Sequence, residues 1–454
     1  MLKKNEIVRL EITGITNEGN GVGRYEGIAV FVPLTAVGDV IDCRIVKTAS
    51  SYCYGIIEAV VSPSDKRCDP DCQVFSKCGG CAFRHFTYEE ELRIKQEMVQ
   101  ASFERIGKLS PEFEPILGAP STDHYRNKAQ YPVAEIDGRA VCGFYSRRSH
   151  RVIEQTDCKL QPEIFSRIVS ACIEYFNENK IPAYKEQNGK GLVRHIYLRR
   201  GEHSGEIMLC FVVTSIEKGK KLFPLAEALR LGYPDIKSVM LNENSRSTNA
   251  ILGSKLHRLC GKDTITDIMC GNRIELSPLS FYQVNTIQAE QLYALAKEYA
   301  SLTPDTLLLD LYCGAGTIGL SMAGDVRQVI GAEIVAPAIE NAGKNAEMNG
   351  IKNAEFFCGD AGEVAAKLYN EGRRPDVIVA DPARKGCSRD ALEYMAKMQP
   401  DRIVMISCNH ATAARDCAIL AELGYEPVKC RAVDLFPRST HVECVVLLTR
   451  DGSK

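Results

Sequence analysis

At 454 residues and 50.2 kDa, the chain is long enough for two or three domains, each with its own core. Its 45 % apolar and 25 % charged residues exclude disordered and collagen-like classes. No apolar run reaches the about 18 residues of a membrane span, and the opening Met1-Leu2-Lys3-Lys4-Asn5-Glu6 lacks the apolar stretch of a signal peptide. The net charge of −2 gives no global argument for nucleic acid, so any such argument must be local. There is no Trp, and the 19 Cys read as reduced, intracellular thiols rather than as a secreted disulfide scaffold.

Residues 1–60 alternate in β fashion, with Val8, Leu10 and Ile12 facing one way and Arg9, Glu11 and Thr13 the other. Gly19-Asn20-Gly21 and Gly23 punctuate the chain, and 28–32, 40–46 and 54–60 supply further short strands. Short strands with glycine turns and no helix predict a small OB-like barrel, and a small β domain of unknown use fits the pattern equally. Residues 61–86 carry a Cys cluster. A helix is predicted over 88–108, with Leu92, Val99, Phe103 and Ile106 on one stripe.

Strand-like segments return from 121 to 260, notably 192–198 and 207–213 across a Gly201–Gly205 turn. Residues 121–200 hold 14 Lys and Arg against 9 Asp and Glu, a local net of 14 − 9 = +5. Arg126, Lys128, Arg147, Arg148, Arg151, Arg194, Arg199 and Arg200 interleave with Tyr125, Tyr131, Phe144, Tyr145 and Tyr197. This composition suits a surface that contacts a phosphate backbone and stacks bases, though an ordinary solvated face has the same composition.

After about 270 strands and helices alternate, and strands are expected to end near Tyr312, Glu333, Asp381 and Ser407. That order predicts a doubly wound parallel sheet, whose strand carboxyl ends form the ligand crevice. The apolar run 306–312 enters Cys313-Gly314-Ala315-Gly316-Thr317-Ile318-Gly319, where bare backbone approaches a ligand, and Glu333 follows at the next strand end. Nicotinamide dinucleotides and S-adenosylmethionine both use such a loop. Asp310, just before it, favours the cationic S-adenosylmethionine, as do the later strand-end groups Asp381-Pro382-Ala383-Arg384 and Ser407-Cys408-Asn409. Cys408 follows the apolar strand 403–406 in a polar sequence, with Asn409 and His410 placed to orient a substrate or favour the thiolate. Glu443 precedes another apolar strand, and its position alone gives it no role.

Taken together, Ser277-Pro278-Leu279-Ser280-Phe281-Tyr282-Gln283-Val284-Asn285, Asp310 to Thr317, Asp381-Pro382-Ala383-Arg384-Lys385-Gly386, Ser407-Cys408-Asn409 and His441-Val442-Glu443 resemble the RNA uracil-5-methyltransferase family. The chain looks most like the branch with a TRAM domain and an iron–sulfur cluster, the 23S rRNA (uracil-5-)-methyltransferases. The resemblance implies S-adenosylmethionine contacts from Gln283, Tyr312, Glu333 and Asp381, with Cys408 as nucleophile and Glu443 as general base. Ala383 and His410 stand where that family commonly has Pro.

Cys72, Cys78 and Cys81 follow C-x5-C-x2-C around Gly79-Gly80, and four thiolates suit zinc or a 4Fe–4S cluster equally. The resemblance implies the cluster, with Cys158 as fourth ligand and Cys68 as the weaker candidate. The expected architecture is a TRAM-like barrel over 1–60 and a mixed β-rich iron–sulfur and RNA-contacting region over 61–270. A Rossmann-like methyltransferase domain follows over 271–454, and the helix 88–108 is expected to pack on it. The expected partner is RNA in the cytoplasm, 23S rRNA first and tRNA second, with no membrane and no obligate protein partner. A NAD-dependent oxidoreductase and a non-catalytic iron–sulfur RNA-binding protein are the rival classes.

Overall fold

The first five strands close on themselves. In the computed structural model, which describes residues 2–450, they form a barrel in the order Ile7–Ile15, Asn20–Tyr25, Ile28–Pro33, Tyr52–Ser62, Val40–Thr48. Its interior takes Val8, Leu10 and Ile12 from the alternating first strand, and Val30, Val32, Ile41 and Ile45 from its neighbours. The glycine-rich stretch read as punctuation is itself a strand, Asn20–Tyr25. Gly23 lies so close to the first strand that a Cβ there would stand 2.9 Å from the Glu11 carbonyl and 3.3 Å from Leu10 Cβ. Glycine is therefore a condition of closing the barrel.

A seven-stranded sheet forms the middle of the molecule, in the order Lys255–Gly261, Ile236–Glu243, Ile207–Val213, Val193–Arg200, Lys128–Ile136, Arg139–Tyr145, Val152–Glu154. Helices Glu163–Glu178 and Phe223–Gly232 pack on one face through Phe165, Ile168, Leu225 and Leu229. The other face, with Tyr197, Met208, Cys210 and Met240, packs against Tyr282, Tyr293 and the helix Thr286–Ala300. With both faces covered, Ile207–Val213 is buried at every residue.

The third unit is an eight-stranded sheet in the order Ala354–Cys358, Gln328–Glu333, Leu307–Leu311, Val377–Ala380, Arg402–Ser407, Glu443–Arg450, Tyr425–Val433, Glu112–Leu117. The first five strands are parallel and Glu443–Arg450 runs antiparallel beside Arg402–Ser407. The edge strand Glu112–Leu117 comes from far upstream, outside the segment expected to build this sheet.

Helix Tyr88–Ser102, capped by the Thr87 side chain, lies against this unit, with Val99 and Phe103 meeting Ala413, Ala414 and Cys417 of helix His410–Glu422. Its predicted stripe needs correction. The buried face is Ile94, Met98, Val99 and Phe103, whereas Ile106 is 52 % exposed. The helix widens to a π turn over Phe103–Gly107, which rotates Ile106 off the stripe. Gly107 there lies against the Ala414 carbonyl, 2.9 Å from where a Cβ would stand.

Candidate active site

Strand Leu307–Leu311 runs into Tyr312, Gly314 and Gly316, all at positive φ, before helix Thr317–Met322 begins. The helix rides close to its strand because Gly319 has no side chain: a Cβ would stand 2.8 Å from both Asp310 Oδ2 and Val329 Cγ1. The Gly319 N–H donates to Asp310 Oδ2 at 2.8 Å, while Asp310 Oδ1 is buried without a partner. Burial, aided by the Asp381 and Glu333 charges, pushes the Asp310 carboxyl up to about 7. Burial likewise pushes Asp381, just beyond strand Val377–Ala380, up to about 7. Glu333 accepts from the Gly314 N–H at 3.3 Å and the Val335 N–H at 2.9 Å. Asp310 and Glu333 thus border the glycine loop, with Asp381 near enough for its charge to raise Asp310. Among the described residues no salt bridge reaches any of the three, a setting that fits a sulfonium- and ammonium-bearing ligand.

Gln283 lies in the turn before helix Thr286–Ala300, its carbonyl accepting from Asn127 Nδ2 at 2.7 Å. The Tyr293 hydroxyl stands 3.4 Å from Thr317 Oγ1 and is raised by burial and by Asp381, with Thr317 and Gln283 acting the other way. Tyr293 therefore ties Gln283, the glycine-loop helix and Asp381 to one crevice.

Strand pairing places the other two candidates. Ser407 lies opposite Cys444 in the antiparallel ladder, so Cys408 and Glu443 fall opposite each other one step further, at the strand ends. Glu443 is only 4 % exposed, and burial with the Asp381 charge pushes it up to about 8 against the pull of Arg384. Burial is also the main cause raising the Cys408 thiol, followed by the Glu443 and Asp381 charges, and Arg384 again opposes it. An open cleft above Cys408 is walled by Arg384, His441 and, from the barrel, Asn17. Arg384 Nη2 stands 2.7 Å from His441 Nδ1. Nothing in the local sequence points to Asn17, because only the barrel's docking brings it there.

Asn409 and His410 line the same cleft as Cys408, and each also makes a structural contact. Asn409 caps helix His410–Glu422, accepting from the Ala411 N–H at 3.2 Å, and its Nδ2 donates to the Arg384 carbonyl at 3.0 Å. His410 Nδ1 sits 2.6 Å from Ser102 Oγ, and burial lowers its ring below the usual imidazole range.

The basic, aromatic segment also needs correction. Arg199, 1 % exposed, donates to the Ser277 carbonyl at 3.1 Å and the Ser280 carbonyl at 2.8 Å, holding the turn that leads to Gln283. Arg194 is buried over the Tyr184 ring and donates to the Asn244 and Arg246 carbonyls, and Tyr125, Tyr131 and Tyr197 are core residues. Of the eight basic residues, Arg148 and Arg151 are exposed and the rest are buried or half-buried.

Cys72, Cys78, Cys81 and Cys158 line one cavity, with Phe75 and Arg126 beside them. Burial raises the Cys78 and Cys81 thiols and pushes Cys158 to about 12, with the neighbouring Cys charges adding to each. Cys68 points elsewhere, its thiol 3.1 Å from the Phe86 carbonyl. Among the described residues no group of three or more His, Cys, Asp or Glu is arranged to hold a metal ion. All 19 cysteines are free. No helix among the described residues is long and apolar enough to cross a membrane.

A glycine loop and acidic strand ends on a doubly wound sheet define a Rossmann-like domain with an acidic ligand crevice, joined to a small N-terminal barrel. Residues 272–451 match the family described as tRNA (uracil-5-)-methyltransferase, and residues 2–57 match the TRAM domain. An RNA methyltransferase of Clostridium tetani is 38 % identical over 456 residues, covering 100 % of this chain and 98 % of that one. One from Caldanaerobacter subterraneus is 40 % identical over 449 residues, covering 99 % of each. The solved Pyrococcus abyssi tRNA (uracil-54, C5)-methyltransferase, in complex with S-adenosyl-L-homocysteine, has a TM-score of 0.78 and 26 % identity over 97 % of this chain and 99 % of that one. The chain belongs to the tRNA (uracil-5-)-methyltransferase family and is an S-adenosylmethionine-dependent RNA methyltransferase. The nicotinamide and non-catalytic alternatives are thereby set aside.

Proposed function

We propose that the protein transfers a methyl group from S-adenosylmethionine to carbon 5 of a uridine in 23S rRNA through a covalent Cys408–uracil adduct. The pairing that sets Cys408 opposite Glu443, beside Asp381, carries this reading. Carbon 5 of uracil is too weak a nucleophile to take a methyl group unaided. The Cys408 thiolate adds to carbon 6, and the ring electrons move through carbons 5 and 4 onto oxygen 4 as an enolate. Carbon 5 then attacks the sulfonium methyl, the sulfur–methyl bond breaks, and S-adenosylhomocysteine leaves. Glu443 removes the carbon 5 proton, the 5,6 double bond re-forms, and the thiolate departs. A base held in a stack must first be turned out to reach Cys408. Gln283, Tyr312, Glu333 and Asp381 would hold S-adenosylmethionine, and the uncompensated carboxylates around the glycine loop support that assignment.

The RNA is read as ribosomal from the branch that the sequence resembles. Transfer RNA is a second reading, favoured by the likeness to a tRNA-modifying structure over 97 % of this chain. Nineteen cysteines without a disulfide and an RNA substrate support a cytoplasmic reaction.

The test is a denaturing gel of protein with 5-fluorouridine-containing rRNA fragments or tRNA and S-adenosylmethionine. Fluorine does not leave as a proton, so the adduct persists. A covalent band that vanishes in Cys408→Ala is expected, and its lane names the RNA. No band from protein that binds S-adenosylmethionine would overturn the uracil-5 reading.

Cys72, Cys78, Cys81 and Cys158 would hold a 4Fe–4S cluster, a reading supported by their placement round one cavity. When bound, such a cluster would tie the 72–81 loop to residue 158, and methyl transfer asks no electron of it. Anaerobically purified protein is expected to carry iron and sulfide at about four each per chain, lost in Cys158→Ser. Zinc in place of iron, or a content unchanged by that substitution, would remove the cluster.

A further inference from the structure

We propose that His441 reads oxygen 4 of the target base through Nε2–H, and so selects uracil over cytosine and steadies the enolate; this rests on the uracil-5 reading above. Arg384 Nη2 lies 2.7 Å from His441 Nδ1. A guanidinium only donates, so Nδ1 accepts, and a neutral ring that accepts at Nδ1 carries its proton on Nε2. A protonated ring would set donor against donor at that contact. The arginine therefore fixes the tautomer, and the ring can only donate from its free side.

The remaining contacts hold the ring in the cleft. The His441 N–H donates to Ser439 Oγ at 3.3 Å, and the Phe436 ring meets the imidazole edge-on at 6.0 Å between centroids. Among the described residues Nε2 has no hydrogen-bond partner, and the ring walls the cleft above Cys408. Burial first, then the positive charges of Arg384, Arg126 and Lys95, lowers the ring to about 4, so it stays neutral through the working range.

A fixed donor at this edge discriminates. Uracil presents oxygen 4, an acceptor, where cytosine presents an amino group, a second donor. Oxygen 4 also takes the negative charge when the thiolate adds to carbon 6, whereas oxygen 2 lies outside that conjugation. A hydrogen bond to oxygen 4 therefore strengthens on the way to the transition state.

The test pairs His441→Phe, which removes the donor, and His441→Gln, whose amide nitrogen restores one near Nε2, with RNAs bearing uridine, 4-thiouridine, 2-thiouridine or cytidine at the target. Single-turnover methylation of uridine is expected to slow by about 10²–10³-fold in His441→Phe, with S-adenosylmethionine and RNA affinities retained and partial recovery in His441→Gln. Sulfur is a poor acceptor, so the uridine-to-4-thiouridine rate ratio should shrink in His441→Phe relative to wild type. The 2-thiouridine ratio should be the same in both, and discrimination against cytidine should narrow. Equal 4-thiouridine ratios in wild type and His441→Phe, or a His441→Phe rate within about twofold of wild type, would overturn the proposal while leaving the uracil-5 reading standing. A wild type that forms no Cys408-dependent adduct would overturn both.

Discussion

Replacing Glu443 by Gln is expected to leave enzyme and unmodified RNA covalently joined once S-adenosylmethionine is added. The amide is nearly isosteric with the acid but takes no proton, so thiol addition and methyl transfer proceed while removal of the carbon 5 proton stops. Product release should fall by about 10²–10⁴-fold, the usual worth of a positioned base. The electrostatics sharpen this expectation, because the Glu443 charge raises the Cys408 thiol and a neutral amide in its place would not. Adduct formation should therefore be undiminished, and the methylated adduct should accumulate. In the wild type the carboxyl sits at about 8 and acts only when ionised, so release should quicken as pH rises towards 8 and then level off. A band on a denaturing gel, with mass spectrometry showing a methyl on the trapped base, checks the result. Wild-type release by Glu443→Gln would assign the proton to another base.

How far the sequence foretold this arrangement depends on whether each signal was local. The strands Leu307–Leu311 and Arg402–Ser407 were legible because they are buried apolar runs ending in abrupt polar switches. Cys408 could be singled out on those grounds. Glu443 could not, because its partner lies on another strand: Ser407 and Cys444 are 37 residues apart, and only their register brings carboxyl and thiol together. The same non-local logic defeated the reading of the basic segment. Arg199 is buried because the carbonyls of Ser277 and Ser280 meet its guanidinium, an arrangement that composition does not encode. Strand Glu112–Leu117 carries Pro115, which weakens a strand signal and is tolerated here because the strand lies at the sheet's edge. The helix stripe failed at Ile106 because periodicity of 3.6 presumes a helix that stays α, and before Ser102 it missed the buried Ile94 and Met98.

Lys95→Met should cost about 3–5 kcal/mol of a total stability of about 5–15 kcal/mol. Lys95 Nζ is buried and donates to Glu91 Oε1 at 2.7 Å, Asp434 Oδ1 at 2.6 Å and the Phe436 carbonyl at 3.1 Å. Both carboxylates are equally buried, and Asp434 also accepts from the Tyr88 hydroxyl at 2.9 Å. Removing the ammonium leaves two buried carboxylates facing each other, with Arg438 Nη1 at 3.5 Å from Glu91 Oε2 offsetting them only in part, and burial already raises Glu91 against the pull of Lys95 and Arg438. The midpoint of urea denaturation should fall accordingly. The triple variant Lys95→Met, Glu91→Gln, Asp434→Asn should recover most of the loss, since it removes the charges rather than stranding them.

Activity should not recover with stability, because the network also anchors the segment leading to the cleft. The Arg438 N–H donates to Glu91 Oε1 at 2.7 Å, and its carbonyl accepts from the Ala82 and Phe83 N–H groups at 2.8 and 3.1 Å. Arg438 is held there at positive φ, three residues before His441 and five before Glu443. Glu91 thus joins the helix, the end of the cysteine loop and the approach to the base in one contact set. With an amide in place of the Glu91 carboxylate, that anchor weakens, and turnover at saturating substrates should drop while S-adenosylmethionine affinity holds. A triple variant with wild-type turnover would make the network a matter of stability alone.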